Sequence, residues 1–166
     1  MATVQMDESN GVGETQSTNI STYNFGSTDA SDLTPASYPI TAGANSYEKW
    51  IRLHWTSGAA NQIDNLQAWK VSGNYVTGEV IKTNLTTTGY SAASYATPTS
   101  NTSSEATIDM PTADPTQANL GIGGNLTGSL STFGYSDYWV MQLQTTGSTP
   151  AGDVNQKTIR IQYDEQ

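Results

Sequence analysis

Two short runs near the C-terminus constrain the fold most tightly. In Thr158 to Tyr163 (TIRIQY), Ile159, Ile161 and Tyr163 alternate with Thr158, Arg160 and Gln162. That is the period-two pattern of a strand with one buried face. In Tyr138 to Leu143 (YWVMQL), Trp139, Met141 and Leu143 point one way, and Tyr138, Val140 and Gln142 the other. Such a run reads as a strand buried on both faces over part of its length. A Gly/Ser/Thr/Pro/Asp turn region separates the two runs, so they are predicted to be antiparallel neighbours in a central sheet.

The rest of the chain is consistent with an all-β fold. Only 35% of its 166 residues are apolar and 13% are charged. Thr, Ser, Asn, Gln and Gly fill much of the remainder, and these suit strands and turns better than helices. Further strands are expected from Tyr47 to Trp55, from Gln62 to Val71 with a bulge near Asn65, and from Tyr75 to Leu85 with Gly78 as a kink. The Ser/Thr/Asn/Gly-rich stretch from Thr86 to Gly134 is too long for a structureless loop in a compact unit. It is expected to hold short strands at Ala106 to Met110 and Leu126 to Phe133, joined by long crossings. Long connections between non-adjacent strands predict a two-sheet antiparallel sandwich of jelly-roll or Greek-key type. Residues 23–166 would form this single domain. Residues 1–22 are polar and Gly-interrupted, and are expected to be an extended N-terminal arm.

Charge narrows the function classes. Fifteen Asp and Glu against six Lys and Arg give a net charge of −9, which argues against phosphate-bearing partners such as nucleic acid. The arm region carries acid without base, and Asp7, Glu8 and Glu14 are candidates for contact with a basic groove on another subunit. No cysteine is present, so disulfides and thiolate metal sites are excluded. No apolar run is long enough to span a bilayer, and MATVQMDESNG lacks the basic and apolar regions of a secretory signal. The chain is therefore expected to be made in the cytoplasm, with no membrane partner.

No residue pattern points to catalysis. His54 is the sole histidine and has no Gly-x-Ser-x-Gly context to pair with. Asp109, Asp114, Asp137 and Asp153 are conceivable calcium ligands, but the spaced ladder and closing Glu of a calcium loop are missing. Gly121-Ile-Gly-Gly124 lacks the Lys-Ser/Thr of a phosphate loop and reads as a turn. The expectation is a non-enzyme without metal or cofactor. Trp50, Trp55, Trp69 and Trp139 lie in strand segments with apolar neighbours and are read as core or subunit interface. Trp50, Arg52 and His54 share one strand face, expected to be exposed and available for subunit association. A competing reading is a carbohydrate-binding or host-adhesion module that stacks sugars on Tyr90, Tyr95 or a Trp. A small hydrolase on the same scaffold is the third.

The segments Asn24 to Leu33, Ser46 to Gly73, Asn119 to Gly128 and Gly134 to Glu165 together resemble small structural proteins of tailed bacteriophage particles. More narrowly, the chain resembles capsid decoration or cement proteins, which are Cys-free β-sandwich or jelly-roll virion proteins. The resemblance implies binding to the major capsid protein on the outer surface of the capsid. It also implies a homotrimer at local three-fold positions and a stabilising role against internal DNA pressure, with many weak contacts summed by multivalency.

Overall fold

The computed structural model describes residues 1–58, 60, 62–87, 89, 91, 93–123, 134–152 and 156–166. Among the described residues there is no helix. The strands are β1 (Ala2–Asn10), β2 (Thr15–Ile20), β3 (Lys49–Gly58), β4 (Ile63–Ser72), β5 (Val80–Thr83), β6 (Ile108–Asp109), β7 (Ile122–Gly123), β8 (Tyr135–Ser136), β9 (Trp139–Gln144) and β10 (Thr158–Glu165). They form two antiparallel sheets. The larger runs β2-β1-β3-β9-β5-β6, with β8 against β3 and β7 against β8, and the smaller is the ribbon β10-β4.

Apolar side chains from both sheets meet in one core. Ile51, Leu53, Trp55, Met141 and Leu143 of the large sheet pack with Ile63, Leu66 and Ala68 of β4, and Ile159, Ile161 and Tyr163 of β10 close the margin. Trp55 and Trp139 are at most 1% exposed, as their strand context predicts, and Trp50, on the face expected to be exposed, is fully buried as well. Asn65 takes a left-handed φ of 49°, and the β10–β4 register slips between Gln162 and Asp164. One extra residue in β4 therefore swaps its inward set, the bulge foreseen at that position. Gly78, φ 76°, turns the chain into β5.

Two expectations are corrected. The segments 138–143 and 158–163 are not neighbours in one sheet. β9 lies between β3 and β5, whereas β10 pairs with β4. Each run carries a buried face, and the two faces meet across the core instead of edge to edge. The N-terminal residues are not an extended arm either. β1 and β2 form a hairpin, and β1 pairs with β3 along nearly its whole length, from Ala2↔Gly58 to Ser9↔Trp50. Val4 and Met6 pack on the core, and the polar residues of β1 find partners inside the fold, so low hydrophobicity here marks an internally satisfied strand. The chain's first and last strands also touch, Ala2 N donating to Glu165 Oε2 at 2.9 Å. The expected strand at Leu126 to Phe133 lies outside the described residues.

Candidate functional site

The antiparallel register sets Gln5 opposite His54, Asp7 opposite Arg52 and Ser9 opposite Trp50. These six side chains share the face of the sheet away from the core. β8 pairs with β3 at His54↔Tyr135, and β9 pairs at Trp50↔Val140, which brings Tyr135 and Tyr138 over the same face. The planar groups then stack in a column. His54 lies on Tyr135 at 4.2 Å and 22°, and the Arg52 guanidinium sits 4.4 Å from both the Tyr135 and Tyr138 rings. Trp50 meets Tyr138 and Tyr95 edge-on at 5.4 and 5.5 Å.

Polar contacts pin this column from beneath and beside. Asp7 is fully buried, contacts His54 Nδ1 at 2.8 Å, and accepts from Gln5 Nε2 at 2.9 Å and Asn19 N at 3.0 Å. Glu14 pairs with Arg52 at 2.9 Å and accepts from the Tyr138 hydroxyl, which also contacts Ser9 Oγ at 2.8 Å. Burial, reinforced by the bond to Glu14, pushes the Tyr138 hydroxyl up to about 12. It therefore remains a donor across the neutral range. Trp50 Nε1 and Arg52 Nε are buried and without a hydrogen-bond partner among the described residues, so stacking holds these two groups.

The expected interaction residues are thus redistributed. Asp7, Glu8 and Trp50 are at most 1% exposed and face other side chains of this chain, which removes them from any contact with a shell. Their burial follows from β1 lying inside the sheet. Arg52 and His54 are about one-fifth exposed and Glu14 two-fifths, so this rim alone reaches solvent. Of the stacking tyrosines proposed for a sugar, Tyr95 packs on Trp50 and donates to Gly11 O at 2.9 Å. Tyr90, Gly124 and Asp153 lie outside the described residues. Asp109 pairs with Lys82 at 2.6 Å. Among the described residues no three His, Cys, Asp or Glu side chains converge as a metal site.

On the core side of β1 and β3, Lys49 and Glu8 form a buried ion pair of 2.7 Å, 2% and 1% exposed. Lys49 also donates to Ala30 O at 2.6 Å. Nothing in the sequence alone pairs Lys49 with Glu8, because only the sheet lays β1 against β3. Lys157 and Glu79 form a second pair, with Lys157 also near the Tyr75 ring. With Arg52–Glu14 and Lys82–Asp109, four of the six bases are matched by acids inside the chain. The remaining acids leave the exterior strongly negative.

The surface feature that the sequence did not announce is a groove between the two sheets. β2 is an edge of the large sheet and β10 an edge of the ribbon. Between these edges opens a groove of about 250 Å³, its apolar wall made by Val4, Met6, Ile20, Leu53, Ile161 and Tyr163. Asp164 and Glu165 continue the β10 rim in exposed positions. Strand edges with no partner strand among the described residues, beside apolar side chains, offer both hydrogen bonds and pockets to an added strand. A second recess, about 300 Å³, is of mixed character, with Ile40, Ala44 and Tyr47 beside Thr41, Asn45 and Asn101. The chain matches no family model, no curated protein and no solved structure.

Proposed function

We propose that this chain is a non-enzymatic structural protein of a phage virion that binds the outer surface of the capsid as a decoration protein. In this reading the two sheets are the layers of a sandwich of jelly-roll lineage, and the working surface is its open side between β2 and β10. The observation that carries the proposal is that groove: two strand edges that pair with no further strand among the described residues, an apolar wall and an acidic rim in a chain of net charge −9. An extended segment of a capsid protein, alternating apolar and basic residues, fits it by strand addition. Several such contacts around a homotrimer would sum to tight binding.

Mixing the purified chain with undecorated heads tests the reading. Cosedimentation and a higher temperature of DNA release are expected, with light scattering giving a trimer. Heads that neither retain the chain nor gain heat resistance refute it. The second reading, a carbohydrate-binding module, draws on the recess around Tyr47, where an aromatic ring sits with the polar side chains of Asn45 and Asn101. Glycan-array binding by a monomer, without head binding, would select it.

A further inference from the structure

Glu8 Oε1 is shared by two nitrogen atoms. Lys49 Nζ lies 2.7 Å from it, and the Asn10 side-chain amide, turned to satisfy its neighbours, donates to the same oxygen at 3.1 Å and to Asp29 Oδ1 at 3.0 Å. Lys49 and Glu8 are at most 2% exposed and Asn10 is 9% exposed. Glu8 and Asn10 are two residues apart on β1 and so point to the same side, while Lys49 begins the neighbouring β3, whose Trp50 pairs with Ser9. Tyr23 lies close enough for the charge of Glu8, after burial, to push its hydroxyl up. Burial also pushes Asp29 up, partly opposed by its bond from Gly11 N and by Lys49.

We propose that this cluster is an amide-forming modification site, in which Lys49 and Asn10 join through an isopeptide bond that ties β1 to β3. The ammonium of Lys49 gives a proton to Glu8, and the free amine attacks Asn10 Cγ. The new N–C bond forms as the C–N bond to the side-chain nitrogen breaks. Glu8, acting as base toward the incoming nitrogen, returns the proton to the departing one, which leaves as ammonia. The second amine proton stays on Glu8, which ends neutral as the Lys49 charge is lost, so atoms and charge balance and no co-reactant is consumed. One carboxylate oxygen touching both nucleophile and leaving group is the geometry such a proton shuttle needs. Burial excludes the water that would compete, and the strand pairing supplies the proximity. A chain without cysteine gains by this route the covalent staple that disulfides supply elsewhere.

Mass spectrometry of the folded full-length chain tests the proposal directly. The intact mass is expected to fall short of the sequence mass by one ammonia, and digestion should yield a branched peptide joining the Asn10 and Lys49 segments. Glu8→Gln and Lys49→Arg are expected to restore the full mass. A wild-type chain of full sequence mass overturns the proposal, whatever the variants do. The same ammonia loss would follow if Gly11 N attacked Asn10 to give a succinimide. Hydroxylamine cleavage after Asn10, with no branched peptide, would identify that event and equally overturn the isopeptide.

Discussion

Glu48 Oε1 accepts the backbone N–H of Ala106 at 2.9 Å, a bond spanning 58 residues of sequence. The same oxygen takes the amides of Ser104 at 2.8 Å and Glu105 at 2.9 Å, while Oε2 takes the Ser104 hydroxyl at 2.6 Å. A single buried carboxylate therefore fixes the long crossing before β6. Glu48→Ala leaves three amides without their acceptor and is expected to destabilise the fold by about 3 kcal/mol. Urea denaturation measures it. A loss below about 0.5 kcal/mol would mean the crossing is held by other contacts.

Asp137 has its carboxyl held above the usual range by burial. An acid raised in the folded state weakens folding once pH exceeds its unfolded value, and the deficit is full above the folded value. As pH falls back through that window, stability lost to this group returns. Asp137→Asn should therefore unfold at a higher temperature than wild type at neutral pH and at the same temperature below the ordinary carboxylate range. Thermal scans across pH read the difference, and a gap that persists in acid would contradict the burial argument.

Tyr138 is raised from 10.0 to about 12 and Tyr23 is also raised, both chiefly by burial. The unfolded chain ionises these phenols first, so stability should drop progressively as pH climbs from 10 to 12. Absorbance titration is expected to show tyrosinate appearing in two stages, the later one coinciding with unfolding. A single stage completed in the folded chain would show both rings to be accessible.

Arg52 is gripped by two rings and one carboxylate. Arg52→Lys keeps the charge but forfeits the flat guanidinium between Tyr135 and Tyr138, and should cost about 1 kcal/mol. Chemical denaturation checks this, with near-ultraviolet circular dichroism reporting the loosened tyrosines.

Ile20 closes β2 on the wall of the groove. A lysine there places charge where an added strand would seat its apolar side chains. Ile20→Lys is expected to weaken binding to undecorated heads at least tenfold, about 1.4 kcal/mol, while shifting the melting temperature little. Unchanged binding would remove the groove from the docking surface.

The class of fold was legible because alternation survives in β10 and because Ser, Thr and Asn leave helices little to build on. The bulge at Asn65 was legible as a slip in pattern. β1 was not, since four of its nine residues, Asp7, Glu8, Ser9 and Asn10, are polar and buried. Hydropathy cannot separate a polar strand with partners from a polar tail without them. Its partners His54, Lys49 and Tyr138 are distant in sequence, and only the sheet brings them together. The same limit hid Trp50, whose strand face was read as exposed because Tyr95 and Tyr138 arrive from elsewhere. Strand neighbours are a property of topology, so two good strands and a turn did not reveal that β9 pairs with β3 and β5 while β10 pairs with β4.

β1 is an inner strand of the large sheet, flanked by β2 and β3. Its second neighbour is Lys49–Gly58, and Ala2 meets Glu165 across a separation of 163 residues. Closures over such separations carry a large loop entropy and form slowly. The β1–β2 hairpin is thus a local pairing, whereas its seating in the sheet depends on strands far along the sequence closing on it.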